Sequence, residues 1–286
     1  MLILKLLRVK QWVKNSFVLI PLVFSLGFLE LVSIEQAVAA FFAFCFASSF
    51  IYIINDIADR KADALHPKKR TRPLASGRIS VWTAVLVAAI CLAVTGGLLA
   101  LIAEPKVALV IGIYVLMNIA YSKWLKHIPL VDVFCIAFGF VLRVYAGAYA
   151  IGVPVSSYLF MVTLFLSLFL AFGKRKAELA KQDRGTRKAL DGYAIGTVEK
   201  YLVILAGAVI ISYALYTLDA NTIARFGNRL IYSVVFVMLG MFQYQAQLDK
   251  SGDFDDPTDN LYKDKILVAI CATYAAYIML IAAGVI

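Results

Sequence analysis

Long apolar runs alternate with short polar stretches along this chain, and the runs set its architecture. They lie near residues 15–32, 36–54, 80–102, 106–122, 130–150, 157–174, 198–218, 227–245 and 265–285. Each is roughly 17–23 residues long, enough to cross a hydrocarbon core as an α-helix. Backbone polar groups in lipid must be satisfied within the segment, which favours helices. The runs lack the alternation of barrel strands. The pattern therefore predicts an all-α, polytopic membrane protein with about nine transmembrane helices, read as a single domain over 1–286. The basic N-terminal stretch and first apolar run read as a retained span, because no small-residue cleavage site follows.

The polar segments between the runs are unequal. Two are long and charged, 55–79 and about 175–197, and a third, 246–265, is acidic around Asp253, Asp255 and Asp256. The others are short, such as Gly152 to Ser156. Of the 28 Lys and Arg residues, 23 fall in segments that share one side of a nine-span layout. The other side carries Lys106, Arg225 and Arg229. The positive-inside rule makes the basic side cytoplasmic. The expectation is an N-terminus inside, a C-terminus outside and polar cap loops on the cytoplasmic face of a plasma membrane.

Composition agrees with this reading. Hydrophobic residues make up 62% of the 286 and mean hydropathy is +0.84. The net charge of +10 comes without any nucleic-acid recognition motif, so it reads as membrane topology and affinity for anionic lipid or phosphate. Cys45, Cys91, Cys135 and Cys271 all lie in apolar runs without a CxxC pair and read as small hydrophobes.

Chemistry concentrates at the end of the second run. Asn55, Asp56, Asp59 and Asp63 come first, then His66, Pro67, Lys68, Lys69, Arg70 and Arg72. Asp56, Asp59 and Asp63 are spaced i, i+3, i+7 and would share one face of a continuous helix. Carboxylates that close repel, so a cation is expected among them. Mg²⁺ takes carboxylate oxygens and is usually completed by water and substrate phosphates. The bases that follow suit the phosphate oxygens left over. The alternative is an ordinary charged loop.

Other segments carry weaker signals. Lys174, Arg175 and Glu178 open the second long segment, with Lys174 and Glu178 at i, i+4; Arg187 and Tyr193 follow. This cluster reads either as a second phosphate site or as a stop-transfer cluster. In the N-terminal segment, Trp12 among Arg8, Lys10 and Lys14 reads as an interfacial anchor, with Lys14 and Asn15 as candidate site residues. Arg143 inside the fifth run needs a partner or a wet cavity, and Asp132, about three turns earlier, could also face that cavity; the alternative is a structural ion pair between helices. Tyr121 and Lys126 are candidate lining residues, or part of an interfacial belt. Two histidines cannot build a zinc site with these cysteines. No serine elbow, phosphate loop or dinucleotide fingerprint is present.

On these residues the chain resembles the UbiA superfamily of intramembrane prenyltransferases. The likeness rests on Asn55-Asp56-x-x-Asp59-x-x-x-Asp63 at the end of the second run, on nine spans and on two polar loops. It implies Mg²⁺ and an isoprenoid diphosphate. One departure stands out: the family's second Asp-x-x-x-Asp motif is replaced by Lys174-Arg175-x-x-Glu178. That departure is similar to a phosphoribosyl-transferring branch, as are the stretches 8–15, 66–73, 121–126, 139–143 and 187–193, although Val9 stands where that branch has proline.

The branch implies transfer of 5-phosphoribose from phosphoribosyl diphosphate (PRPP) to a polyprenyl phosphate for arabinan and cell-wall synthesis, with release of pyrophosphate. Asp56, Asp59 and Asp63 would then hold Mg²⁺, with Asn55 as a hydrogen-bonding partner. Lys69, Arg72, Lys174 and Arg175 would hold phosphate oxygens, with Arg70 and Arg187 as further candidates. Three roles stay open for Glu178: holding Lys174, binding a ribose hydroxyl or stabilising an oxocarbenium. The competing readings are an aromatic prenyltransferase, which should keep aspartates at 174–178, and an anion transporter, which more often breaks its helices at mid-membrane. Oligomeric state is open, since the small residues 146–148 permit close helix contact without requiring it.

Overall fold

The computed structural model describes residues 2–67, 69–180, 188–250 and 264–285. Among these, every regular element is helical. Eight helices are long and apolar enough to span a membrane. They are α3 (Leu31–Ala58), α5 (Val81–Ile102), α6 (Pro105–Lys123), α7 (Val131–Ala150), α8 (Ser157–Ala180), α9 (Ile195–Leu218), α11 (Val234–Lys250, preceded by a 3₁₀ turn from Asn228) and α12 (Lys265–Ala282). Shorter helices are α1 (Leu2–Leu6), α2 (Ile20–Phe24), α4 (Arg60–Leu65) and α10 (Ala220–Phe226). Leu86, Leu101, Leu109, Leu116 and Ile204 are each more than 60% exposed. That outward apolar surface is what lipid would cover, and the chain is an integral membrane protein.

The expected first span, 15–32, is not one α-helix. Val9–Leu19 winds as a 3₁₀ helix, α2 follows, and Leu26 takes a left-handed φ of 62°. Pro21 removes a backbone donor here. A 3₁₀ helix has three residues per turn, so side chains three apart align. Trp12, Asn15 and Val18 form that line. Trp12 Nε1 donates to Ser49 Oγ (3.0 Å), Asn15 Nδ2 to Ser48 Oγ (3.2 Å), and Val18 is fully buried. The tight winding thus lays one narrow polar-to-apolar edge along α3.

Contacts group the chain into two compact units. The first holds Met1–Lys123 and Leu142–Val155; the second holds Trp124–Val141 and Ser156–Ile286. In the first unit α3 lies along α5. Ala84, Ala88 and Cys91 of α5 pack with Ile53, and Thr95 donates to the Ala43 carbonyl at 3.4 Å. Small side chains let these backbones approach, which is how helices associate without a hydrophobic drive between them. Gly147 of α7 carries the point furthest. A Cβ there would lie 1.8 Å from the Val18 carbonyl oxygen, so only glycine fits. The core of the second unit is built from α8, α9, α11 and the start of α7, around Phe169, Phe172, Leu202, Val209 and Tyr244.

Candidate active site

The first unit gathers the acidic motif. α3 runs through Ala58, two residues past Asp56, and Asp59 sits at a one-residue break before α4. The break alters the expected single face. Asp56 and Asp63 are each 3% exposed, whereas Asp59 is exposed. Two buried carboxylates need counter-charge. Arg72 supplies it with a single Nη1, 2.6 Å from Asp63 Oδ2 and 3.1 Å from Asp56 Oδ1. Lys69 stands at the edge, 3.8 Å from Asp63. Arg8 donates from Nη2 to Asp56 Oδ1 at 2.5 Å, while its guanidinium lies 4.8 Å over the Tyr52 ring. The segment bearing Arg8 is fastened on both sides, because Ser49 Oγ donates to the Leu7 carbonyl (2.7 Å) and accepts from Trp12. Asn55 is half-buried and its carbonyl accepts from the Asp59 amide at 2.9 Å; Arg70 is exposed.

A second polar group lies in the same unit. Arg143, 5% exposed, donates from Nε to Asn15 Oδ1 at 2.8 Å and from Nη2 to the Tyr114 hydroxyl at 3.1 Å. Its guanidinium is 5.0 Å from the Phe44 ring and 4.8 Å from the Tyr114 ring. Asn15 also donates to Cys45 Sγ at 3.2 Å. Asn15 and Arg143, both picked from the sequence, therefore meet, and ring faces and neutral oxygens soften the buried charge. Asp132, on the same helix about three turns earlier, has Arg175 and Tyr193 as its partners. Lys14 and Tyr121 are half-buried in this unit.

In the second unit Asp132 and Arg175, both fully buried, form an ion pair of 2.8 Å from Nε to Oδ2. Arg175 Nη1 also pairs with Glu178 Oε2, one turn along α8. Glu178, which spacing places on one face with Lys174, thus has the inward-pointing Arg175 as an i, i+3 partner. Glu178 keeps a 23% exposed side chain. Tyr193 completes the chain of bonds. Its hydroxyl donates to Asp132 Oδ1 (2.6 Å) and accepts from the Leu130 amide (2.6 Å). Burial, with the hydrogen bond donated to Asp132, pushes the phenol above its ordinary range. Gly192 allows this closure, because a Cβ there would lie 2.3 Å from Pro129 Cγ. Lys174 and Lys126 are half-buried; Lys68, Arg187 and the acidic stretch 253–257 lie outside the described residues.

Sequence reasoning missed Arg8 and Tyr193 as parts of these clusters. Arg8 is 48 residues from Asp56 and Tyr193 is 61 from Asp132, so no local spacing links them. The signals for Arg8 were a basic residue beside an interfacial tryptophan, which reads equally well as a membrane anchor, and its place in the 8–15 stretch, neither of which points to Asp56.

Among the described residues no three Asp, Glu, His or Cys side chains converge into a complete metal cage. Mg²⁺ does not demand one. It is usually bound by one or two carboxylates, with waters and substrate phosphates. The two buried carboxylates Asp56 and Asp63, bridged by Arg72 and next to cations able to take phosphate, fit such an ion.

The chain matches the UbiA prenyltransferase family over residues 18–263. It is 36% identical over 291 residues to the decaprenyl-phosphate phosphoribosyltransferase of Corynebacterium glutamicum, covering 96% of this chain and 87% of the relative. The protein of the same description from Mycobacterium tuberculosis H37Rv is 31% identical over 283 residues, covering 96% and 92%. The fold is similar to that of a UbiA homolog from Archaeoglobus fulgidus bound to GPP and Mg²⁺, with a TM-score of 0.74 at 23% identity, over 99% of this chain and 100% of that one. A family match over most of the length, joined to the acidic end of α3, places this chain in the UbiA prenyltransferase family.

Proposed function

We propose that this chain transfers 5-phosphoribose from PRPP to a polyprenyl phosphate and releases pyrophosphate. One observation carries the choice within the family: Lys174, Arg175 and Glu178 stand where a second metal-binding acidic motif would be, and Arg175 is tied into a buried network with Asp132 and Tyr193. A donor with one diphosphate and a separate 5-phosphate needs one metal-holding carboxylate group and a surplus of cations. The two relatives described as decaprenyl-phosphate phosphoribosyltransferases support the same reading.

Asp56, Asp59 and Asp63, with Asn55, would hold Mg²⁺, which draws off charge from the departing pyrophosphate. Arg72 and Lys69 bind diphosphate oxygens beside the carboxylates. Cations fixed before reaction stabilise the leaving group most as its charge develops. The bond from ribosyl carbon 1 to the pyrophosphate oxygen breaks, and the electron pair leaves with pyrophosphate. Carbon 1 gains oxocarbenium character, as in glycoside cleavage. An anionic oxygen of the lipid phosphate then forms the new bond. The acceptor has no proton to lose, so no general base is needed. Lys174 is assigned to substrate phosphate oxygens. Arg175, fully buried, is assigned to holding Glu178, whose exposed carboxylate is available to a ribose hydroxyl or to the oxocarbenium.

The second reading is an isoprenoid transfer from a prenyl diphosphate to an aromatic acceptor. The Archaeoglobus homolog bound to GPP and Mg²⁺ favours it, and the missing second acidic motif weighs against it. A panel of PRPP and prenyl diphosphates, each offered with polyprenyl phosphate and with an aromatic acceptor, separates the two by pyrophosphate release. Release from PRPP that depends on polyprenyl phosphate is the expected result; release from prenyl diphosphates alone would overturn it. The active site is assigned to the cytoplasmic face of the plasma membrane, with an arabinan or cell-wall precursor as the product.

A further inference from the structure

Arg8 holds a backbone conformation that non-glycine residues seldom adopt, with φ 51° and ψ 46°. Left-handed conformations are unfavourable for a residue with a Cβ, so surrounding contacts must hold it. Those contacts all lead to the acidic motif. The guanidinium stacks on Tyr52, its Nη2 reaches Asp56, and Ser49 fastens the chain on either side. The same Asp56 oxygen also takes Arg72. Asp56 and Asp63 are thus neutralised, two carboxylates facing two guanidiniums and the Lys69 ammonium at the edge, before any substrate arrives.

This balance makes a bare divalent cation unwelcome. It would add two positive charges beside Arg8 and Arg72 in a buried setting where charge interactions are little screened. A divalent cation that arrives on a diphosphate brings a net negative charge instead. The guanidiniums then exchange carboxylate oxygens for phosphate oxygens, which suit Arg geometry equally well.

We propose that Arg8 is a resident counter-ion that keeps Asp56 closed to a free divalent cation and moves to the phosphate oxygens when metal and diphosphate enter together. Arg8 thus becomes a substrate-binding residue, and metal binding becomes conditional on the diphosphate. The diphosphate half rests on the proposed function; the metal half does not. No covalent bond changes in this exchange.

The test uses the full chain in detergent and equilibrium dialysis against Mn²⁺ as the metal probe, with and without inorganic pyrophosphate. Arg8→Gln should bind Mn²⁺ alone about tenfold more tightly than wild type, since one opposing charge is gone. Pyrophosphate should tighten Mn²⁺ binding strongly in wild type and less in Arg8→Gln. Arg8→Lys, which keeps the charge, should behave as wild type. Asp56→Asn should abolish tight Mn²⁺ binding in every background, which locates the ion. Should Arg8→Gln not fold, Arg8→Gly removes the charge while relaxing the left-handed backbone and must give the same result. Mn²⁺ binding unchanged by charge removal, or Arg8→Lys behaving like Arg8→Gln, overturns the proposal. Tighter Mn²⁺ binding in a protein that does not use PRPP would sink the proposed reaction and leave the counter-ion role standing.

Discussion

Replacing Asp132 with alanine should destabilise the protein more than almost any other single change. Asp132 and Arg175 are both fully buried and 2.8 Å apart. Removing one partner of a buried pair typically costs about 3–5 kcal/mol, because the remaining charge is left desolvated. Glu178 still contacts Arg175, which places the expectation at the low end, about 3 kcal/mol. Loss of the acceptor for Tyr193 adds about 1 kcal/mol. The assay is thermal unfolding in detergent, followed by the fraction that stays monodisperse. Removing both charges, as Asp132→Leu with Arg175→Met, should recover most of the stability, since well-packed apolar replacements of buried pairs are often neutral. It should not recover transfer, because Glu178 has lost the group that positions it. A loss below about 1 kcal/mol for Asp132→Ala, or full activity in the stable double variant, would refute the reasoning.

Other substitutions test separate links. Asp56→Ala and Lys174→Ala should each reduce transfer by about a hundredfold or more in protein that still folds, as expected when transition-state charge stabilisation is lost; near-normal rates in both would show the pocket to be misassigned. Gly147→Ala should yield little folded protein, because the new Cβ would meet the Val18 carbonyl at 1.8 Å; normal yield and melting would contradict that packing. The raised Tyr193 phenol sets the sign of a pH effect. Its folded value lies above the unfolded value of about 10, so its contribution is complete below pH 10 and is lost only as pH rises further. Wild type and Tyr193→Phe should therefore differ in stability by a constant amount, about 1 kcal/mol, from pH 6 to 9; a gap that changes with pH in that window would rule this out.

The helical membrane fold was legible because its signal is local. Hydropathy over about 20 residues reports a span, and the expected 80–102, 130–150 and 198–218 agree with α5, α7 and α9 to within a few residues. The winding of the first span was not legible because hydropathy is blind to it: Val9–Leu19 is 3₁₀ and a short α-helix with Pro21 follows. The acidic motif was legible from its residues, but its geometry was not. A break at Asp59 leaves only Asp56 and Asp63 buried, and no spacing rule foresees a one-residue kink. Partners at long range were the least accessible. Arg8 to Asp56, Asn15 to Arg143 and Tyr193 to Asp132 join segments far apart in sequence, and the pattern along one chain carries no record of those meetings. Sharing a helix suggests only that Asp132 could face the same cavity as Arg143, and nothing in that spacing points to Arg175, the cation it pairs with.

The reaction itself is tested most directly by following the ribose. Purified protein in liposomes, given Mg²⁺, polyprenyl phosphate and PRPP labelled in the ribose, should move label into the organic phase in step with pyrophosphate release, and EDTA should stop both. Label that stays in the aqueous phase while a prenyl diphosphate is consumed would contradict the assignment, as would transfer that continues undiminished in EDTA.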